Sequence, residues 1–133
     1  MIKISTKSQY GLRAMVYLAR QSDWVSARLI AESEGIPVNF LEKVLGRLKK
    51  AGLVKVKRGV EGGYQLLGSP RRITVGDVVR PLEGKMAMAL CLDKNNTLKC
   101  PRANGCLTKN VWARVQNSLN ESLDSISLYS LIK

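Results

Sequence analysis

All three cysteines of the 133-residue chain lie between positions 91 and 106, with the spacing C-x8-C-x5-C. The segment between them contains Asn, Gly and Pro together with several Lys and Arg residues. This composition predicts a loop that can bring three thiolates together, with basic side chains that lower the thiol pKa values and offset the charge of a bound centre. A metal ion or an iron–sulfur cluster is therefore favoured over reduced, unliganded thiols.

Other uses of these thiols fit the sequence less well. No apolar signal-peptide core and no apolar run long enough to span a bilayer is evident, so we expect a cytoplasmic protein without membrane contact, where structural disulfides are rare. Zinc usually takes four protein ligands, which a loop without His completes only with a carboxylate. An enzyme or a cluster carrier is disfavoured, because the chain offers no Ser/His/Asp set and no Gly-rich phosphate loop after a strand.

Positive charge is the second feature with functional meaning. The chain has 22 Lys and Arg against 10 Asp and Glu, and residues 1–80 hold 15 of the basic and 6 of the acidic side chains, a net charge of +9. Basic surfaces bind phosphate backbones because binding releases the counterions condensed there. This distribution favours nucleic acid as the partner, with a merely soluble basic surface as the alternative.

The stretch that would bring this charge to DNA comprises residues 36–67. After Pro37, apolar residues recur at helical spacing and basic ones fall on the opposite face, which predicts an amphipathic helix that Gly52 ends. Alternating Val and Lys residues then predict a strand, and a glycine-rich turn at Arg58 leads to a second strand that begins near Tyr64. The pattern predicts a helix followed by a basic hairpin.

Two further helices precede this unit. The first is predicted over residues 4–20, and a short one capped by Ser26 ends at Gly35, so that the order of elements is that of a helix-turn-helix. The helix after Pro37 would enter the major groove, while Arg58 at the hairpin tip reaches the backbone or a narrow minor groove. The predicted DNA contacts are Lys7, Ser8, Gln9, Arg28, Val38, Asn39, Phe40, Glu42, Lys43, Arg47, Lys57, Arg58 and Gly59.

Some of these residues have competing roles. Asn39 can pair with adenine, whereas Phe40 can touch a thymine methyl group or pack in the core. Glu42 can accept a hydrogen bond from cytosine, but an ion pair with Lys49 or Arg47 is favoured.

Elements after the hairpin complete the predicted fold. Thr74 and Asp77 have the spacing of a helix start, which predicts a helix of about two turns. Pro81 cannot extend this helix comfortably, and Gly84 marks a break. From Leu107 onward, apolar residues step by four and predict a long amphipathic helix, followed by a short one at 128–132. The apolar face of the long helix must cover the rest of the chain or a partner. A homodimer is favoured, because it would place two recognition helices one DNA turn apart on a pseudo-palindromic operator.

The predicted fold class is mainly α with a small β-hairpin wing. Residues 1–84 form a winged helix-turn-helix DNA-binding domain, 85–106 a cysteine loop, and 107–133 a dimerisation helix with a short C-terminal helix. The motifs that resemble a known family are residues 5–10, 40–42, 48–53, 58–64, 73–77, and 106–108 followed by Trp112.

Together these motifs resemble the Rrf-two family of bacterial transcription regulators over nearly the whole chain. The resemblance implies a homodimeric winged-helix DNA binder with a long C-terminal dimerisation helix. In many members three cysteines ligate a [2Fe–2S] or [4Fe–4S] cluster, and [2Fe–2S] is the expected type here. By position, the resemblance assigns the ligands to Cys91, Cys100 and Cys106.

The chain also departs from the family pattern. The first two cysteines are farther apart than usual, Lys109 stands where some members have a His ligand, and Val60 and Glu61 replace the usual Pro-Gly of the wing. The fourth ligand is therefore left open between a backbone group, a small exogenous ligand, and the side chains of Asp93, Glu83 and Gln9.

The sequence thus leads to one main hypothesis and one alternative. The main hypothesis is a DNA-binding dimer that senses iron–sulfur, redox or nitric-oxide status through a cluster on the three cysteines. The alternative keeps the same DNA-binding dimer but regulates it without a cluster, through thiol oxidation or a partner protein.

Overall fold

The structure is a computed structural model that describes residues 3–84, 86, 87, 89, 92 and 105–133. The described residues form six helices and one antiparallel hairpin. In chain order these are α1 (Thr6–Ala19), α2 (Ala27–Glu34), α3 (Val38–Lys50), β1 (Val54–Lys57), β2 (Gly63–Leu66), α4 (Val75–Glu83), α5 (Lys109–Ser125) and α6 (Leu128–Ile132). The predicted fold class, mainly α with a small hairpin wing, is confirmed.

Local chemistry sets the boundaries of the first three helices. The hydroxyl of Ser5 accepts a hydrogen bond from the backbone N–H of Ser8 and starts α1, and Ser26 caps α2 in the same way. Gly35 ends α2 in the left-handed conformation, with φ of +66°. Pro37 is the N-cap of α3, one residue earlier than the first helical position that its fixed φ would favour.

The core lies where α1, α3 and α4 meet. Its largest fully buried side chains include Met15, Leu41, Leu45, Leu48 and Leu82. A Cβ on Gly11 would overlap Leu82, so this glycine lets α1 and α4 approach closely.

The hairpin is extended by one short pairing with the chain before α2. β1 pairs with β2 in the register Val54 to Leu66, Lys55 to Gln65, Val56 to Tyr64 and Lys57 to Gly63. Val25 and Tyr64 exchange two backbone hydrogen bonds, at 2.9 and 2.7 Å, on the other side of β2. Gly63 has φ of +143°, and a Cβ there would overlap the carbonyl of Val25. Glycine at this position is therefore needed to bring the chain at Val25 against the wing.

Helix α4 begins and ends close to the predicted positions and includes Pro81. Thr74 and Asp77 form a capping box, with hydrogen bonds of 3.0 and 3.1 Å. The helix includes Pro81 and ends at Glu83, with the predicted break at Gly84 as its C-cap. Leu82 is fully buried, and its packing compensates for the backbone hydrogen bond that proline cannot donate.

The two C-terminal helices, α5 and α6, differ in how far their side chains are buried. No side chain of α5 is buried, whereas Leu128 of α6 is fully buried in the core. The backbone N–H of Val75 donates to Ile126 at 2.8 Å, and that of Leu128 donates to Ile73 at 2.9 Å. The last helix, α6, therefore packs into the winged-helix core, whereas α5 contributes no fully buried side chain to it.

Candidate nucleic-acid interface

Helix α3 has one buried apolar face and one exposed polar face. Leu41, Val44, Leu45 and Leu48 are buried, as the helical spacing predicted. The exposed side chains of α3 are Asn39, Glu42, Lys43, Arg47, Lys49 and Lys50. Val38 lies at the start of the helix and is 36% exposed, next to Arg28 in an open depression between α2 and α3. A helix with this surface can present polar, basic and apolar groups to a groove of DNA.

Basic side chains from α1 and α3 converge on one crevice. The crevice has a volume of about 120 Å³ and is lined by Lys7, Phe40, Lys43, Val44 and Arg47. Within the described part of the chain, the ion pairs join Arg13 to Glu34 and Arg80 to Asp124, so the three cations of the crevice form no ion pair there. Cations that form no ion pair, at the junction of two helices, suit a phosphate group.

The ring of Phe40 serves the core. It is half-buried and meets the ring of Tyr10 edge-on, with the centroids 5.5 Å apart and an angle of 88° between the planes. The core role that the sequence left open for Phe40 is thus observed.

The start of α1 corrects one predicted contact. Ser8 is only 1% exposed, and its backbone N–H donates to the hydroxyl of Ser5 at 3.2 Å. Neither the buried side chain of Ser8 nor its backbone N–H is available to a phosphate. Ser8 is therefore not one of the DNA contacts. Lys7 and Gln9 keep their surface positions, and Nε2 of Gln9 donates to the carbonyl of Ile4 at 2.9 Å.

A carboxylate from α4 also holds the start of α1. The backbone N–H of Ser5 donates to Oε1 of Glu83 at 2.6 Å. Burial raises the pKa of Glu83, but hydrogen bonds from Ser5 and Ser8 and the charge of Lys7 outweigh it and leave the pKa below its ordinary value. The carboxylate is therefore well placed to stay ionised at the N-terminus of α1, where a negative charge is favourable.

Glu42 does not form the ion pair that the sequence favoured. No ion pair joins it to Lys49 or Arg47 among the described residues. Its charge acts instead on Tyr64 of the wing, whose pKa is raised first by burial and second by Glu42. The exposed carboxylate remains available as a hydrogen-bond acceptor.

The wing presents the predicted tip and an unpredicted aromatic contact. Arg58 and Gly59 are exposed at the tip, where Gly59 has φ of +110°. The ammonium groups of Lys55 and Lys57 lie 5.5 and 6.0 Å from the ring centroid of Trp24. The DNA contacts predicted from the sequence include Lys57 but not Lys55 or Trp24, although the alternation in β1 already places the two lysines on one face.

The predicted cysteine ligands fall mostly outside the described residues. Cys91 and Cys100 lie there, as does Asp93, and no group of three potential metal ligands occurs in the part that is described. Cys106 is half-buried just before α5, with its Sγ 3.3 Å from Oγ1 of Thr108. Three thiols in one segment are a donor set whose chemistry fits a cluster. Glu83, one candidate for the fourth ligand, already accepts a hydrogen bond from Ser5.

A further contact joins the helix after the cysteine segment to the core. The guanidinium of Arg80 in α4 donates to Asp124 and Asn120 in α5. No helix in the described ranges is long and apolar enough to cross a membrane.

Comparisons with known proteins agree with this geometry. The family model described as "Rrf2: Iron-dependent Transcriptional regulator" matches residues 4–133. The transcriptional regulator CymR of Bacillus subtilis (strain 168) is 36% identical over 98% of this chain and 89% of its own length. The solved structure of CymR (YrzC), described as the global cysteine regulator of B. subtilis, has a TM-score of 0.79 and covers 99% of this chain and 97% of its own.

Two further solved structures have similar scores. T. potens IscR is 40% identical with a TM-score of 0.79, over 98% of this chain and 86% of its own. The oxidized form of Staphylococcus aureus CymR is 34% identical with a TM-score of 0.76, over 99% of this chain and 97% of its own. These relatives are regulators rather than enzymes, as the sequence predicted. Because the family model and the relatives match nearly the whole chain, this protein belongs to the Rrf2 family of DNA-binding transcriptional regulators.

Proposed function

We propose that the protein is a sequence-specific homodimeric regulator that inserts α3 into the major groove and rests the wing tip against the minor groove or the backbone. The observation that carries this proposal is the crevice between α1 and α3, where Lys7, Lys43 and Arg47 converge and form no ion pair among the described residues. A backbone phosphate in this crevice would fix the depth and register of α3 in the groove.

Base recognition is assigned to the exposed N-terminal half of α3. Asn39 offers the amide pair that matches adenine, and Glu42 offers an acceptor for the amino group of cytosine. Val38 is exposed beside Arg28 and suits a thymine methyl group. Lys57, Arg58 and Gly59 extend the contact through the wing.

Dimerisation is proposed through α5. The exposed apolar side chains just before α5 and in its first half are Leu107 at 93%, Val111 at 52%, Trp112 at 44% and Val115 at 41%. A continuous apolar stripe of this kind is costly in water and is typical of an interface. A second copy related by a twofold axis would cover it and would also repeat the recognition helix for a pseudo-palindromic operator.

Cys91, Cys100 and Cys106 are proposed to hold an iron–sulfur cluster, of the [2Fe–2S] type, when the regulator is loaded. The iron-dependent description of the family and the three-thiol donor set support this assignment. When bound, such a group supplies a centre whose charge and coordination respond to redox conditions.

The contacts of this chain provide a route from the cysteine segment to the DNA surface. Cys106 lies just before α5, and Arg80 joins α5 to α4 through Asp124. Glu83 at the end of α4 accepts a hydrogen bond from Ser5, which starts the helix that carries Lys7. A displacement of the segment between Glu83 and Cys106 would therefore act on both α5 and the start of α1.

Thiol oxidation without a cluster is the second candidate. The solved oxidized form of S. aureus CymR, which matches 99% of this chain, favours it. Iron and sulfide content after anaerobic purification separates the two. Stoichiometric iron and sulfide that disappear in the triple Cys→Ser variant support the cluster, whereas an iron-free protein whose DNA affinity changes reversibly with a disulfide supports thiol control.

Selection of bound duplexes from a random DNA library tests the proposed DNA reading. We expect an enriched pseudo-palindrome whose half-sites are centred about one helical turn apart, roughly 10 base pairs. Enrichment of a single, asymmetric half-site would contradict the dimeric arrangement, and no enrichment at all would contradict sequence-specific recognition.

A further inference from the structure

The outer face of the wing carries a pair of cations next to the wing tip. Side chains alternate across a strand, so Lys55 and Lys57 lie on the face of β1 opposite to the buried Val54. Their partners on β2 are Gln65 and Gly63, which face the same side. The outer face thus carries two lysines on β1 and, opposite them on β2, only one side chain larger than hydrogen, that of Gln65.

Trp24 reaches this face across β2. Its neighbour Val25 pairs with Tyr64, which belongs to the inner face, and alternation therefore places Trp24 on the outer face with the lysines. Gly63 has no side chain to obstruct the approach. Both ammonium groups lie within cation–π distance of the single indole ring, Lys55 at 5.5 Å and Lys57 at 6.0 Å.

The backbone reinforces the position of the indole. The side-chain amide of Gln65 donates to the carbonyl of Ser22 at 2.8 Å, and this contact fixes the chain before Trp24 against β2. Together with the two backbone hydrogen bonds between Val25 and Tyr64, it holds the indole on a defined part of the sheet.

The charge of the lysine pair is not neutralised nearby. Asp23 and Glu61 are exposed and close in sequence, but neither forms an ion pair with Lys55 or Lys57 within the described residues. Two like charges that share one ring repel each other, and a polyanion relieves that repulsion. Lys57 is followed directly by Arg58 at the wing tip, so the pair continues the basic surface that the tip begins.

We propose that Trp24 is a positioning residue that holds Lys55 and Lys57 on the outer face of the wing, where both contact DNA phosphates next to the site of the wing tip. The proposal adds Lys55 and Trp24 to the interface and rests on the DNA binding described under the proposed function. It predicts that the protein covers more of the DNA backbone than α3 and the tip alone would cover.

Salt dependence of operator binding tests the lysine contacts. Each phosphate contact contributes about 0.9 to the slope of log affinity against log salt concentration. The double variant Lys55→Ala, Lys57→Ala removes two contacts from each protomer and should therefore lower the magnitude of the slope by about 4 for the bound dimer. A matched control, Arg20→Ala with Arg72→Ala, removes two exposed charges outside the α3, wing and α5 surfaces and should leave the slope unchanged. A slope in the Lys55/Lys57 variant equal to that of the wild type would overturn the proposal.

A double-mutant cycle tests the role of Trp24. Trp24→Ala should weaken operator binding several-fold in the wild-type background and have no further effect in the Lys55→Ala, Lys57→Ala background. Trp24→Phe retains an aromatic face and should keep most of the affinity. An equal loss from Trp24→Ala in both backgrounds would show a general effect on the fold and would overturn the positioning role. Should Trp24→Ala not fold, Trp24→Phe and the lysine variants still decide the question.

The outcomes separate this inference from the proposed function. A wild-type protein that binds no preferred duplex would contradict the proposed function. A protein that binds its operator normally, but with a salt slope that is insensitive to Lys55 and Lys57, would contradict only the role of the outer wing face.

Discussion

The guanidinium of Arg80 donates to both carboxylate oxygens of Asp124, at 2.6 and 3.0 Å, and so joins α4 to α5 with two parallel hydrogen bonds. A further hydrogen bond of 3.3 Å reaches the side-chain oxygen of Asn120 one turn earlier. No side chain of α5 is fully buried among the described residues, and this polar contact helps to hold the proposed dimerisation helix on the winged-helix unit.

The contribution of this pair to stability should depend on pH. The hydrogen bond from Arg80 lowers the pKa of Asp124 against a smaller opposing effect of burial. A carboxyl group with a lowered pKa stabilises the fold above its ordinary pKa, and this stability is lost as the pH falls through the lowered value. Asp124→Asn should therefore lower the melting temperature near neutral pH and have a smaller effect at about pH 3. A difference between variant and wild type that stays constant with pH would contradict the ion pair.

Gly63 should tolerate substitution less well than Gly59. Both have positive φ, but a Cβ on Gly59 meets open space, whereas one on Gly63 overlaps the backbone of Val25. Gly63→Ala should therefore lower the free energy of unfolding by about 1 to 3 kcal/mol more than Gly59→Ala. Chemical denaturation of the two variants measures the difference, and equal losses would refute the requirement for glycine at the contact with Val25.

Asn39 and Arg58 should matter for DNA and not for assembly. A good bidentate base contact is worth about 1 to 3 kcal/mol, so Asn39→Ala should weaken operator binding by roughly tenfold or more. Arg58→Ala should weaken it through loss of the wing-tip contact, while sedimentation still reports a dimer. Asn117→Ala, an exposed residue of α5, is the matched control and should bind like the wild type. Wild-type affinity in both test variants would refute the assigned contacts.

The crevice between α1 and α3 gives a separate prediction for two neighbouring residues. Lys7→Ala should reduce the magnitude of the salt slope of DNA binding by about 2 for the bound dimer, because each protomer loses one phosphate contact. Ser8→Ala should leave that slope unchanged, because Ser8 is buried at the start of the helix. Titrations at several salt concentrations measure both slopes. An unchanged slope in Lys7→Ala together with a reduced slope in Ser8→Ala would show that the crevice does not hold a phosphate.

The sequence predicted the features that depend on local chemistry. Helix starts at Ser26 and Thr74, the end of α2 at Gly35, and the hairpin around Arg58 follow from side-chain caps, left-handed glycine and alternation, all of which act within a few residues. For the same reason the polar face of α3 was predictable from its spacing alone.

The features that were not predicted depend on contacts between distant residues. Burial of Ser8 and the inclusion of Pro81 in α4 follow from the packing of α1 against α4, which sequence spacing does not reveal. The same holds for the contact of Trp24 with two lysines, because it requires the pairing of Val25 with Tyr64 across β2.

A hydroxyl-radical footprint on the selected operator tests the central claim, recognition by a symmetric pair of winged helices, most directly. The account predicts two equivalent protected regions on one side of the duplex, centred about one helical turn apart. Each region should lose its outermost protection in the Lys55→Ala, Lys57→Ala variant. A single protected region without a symmetric counterpart would contradict the account.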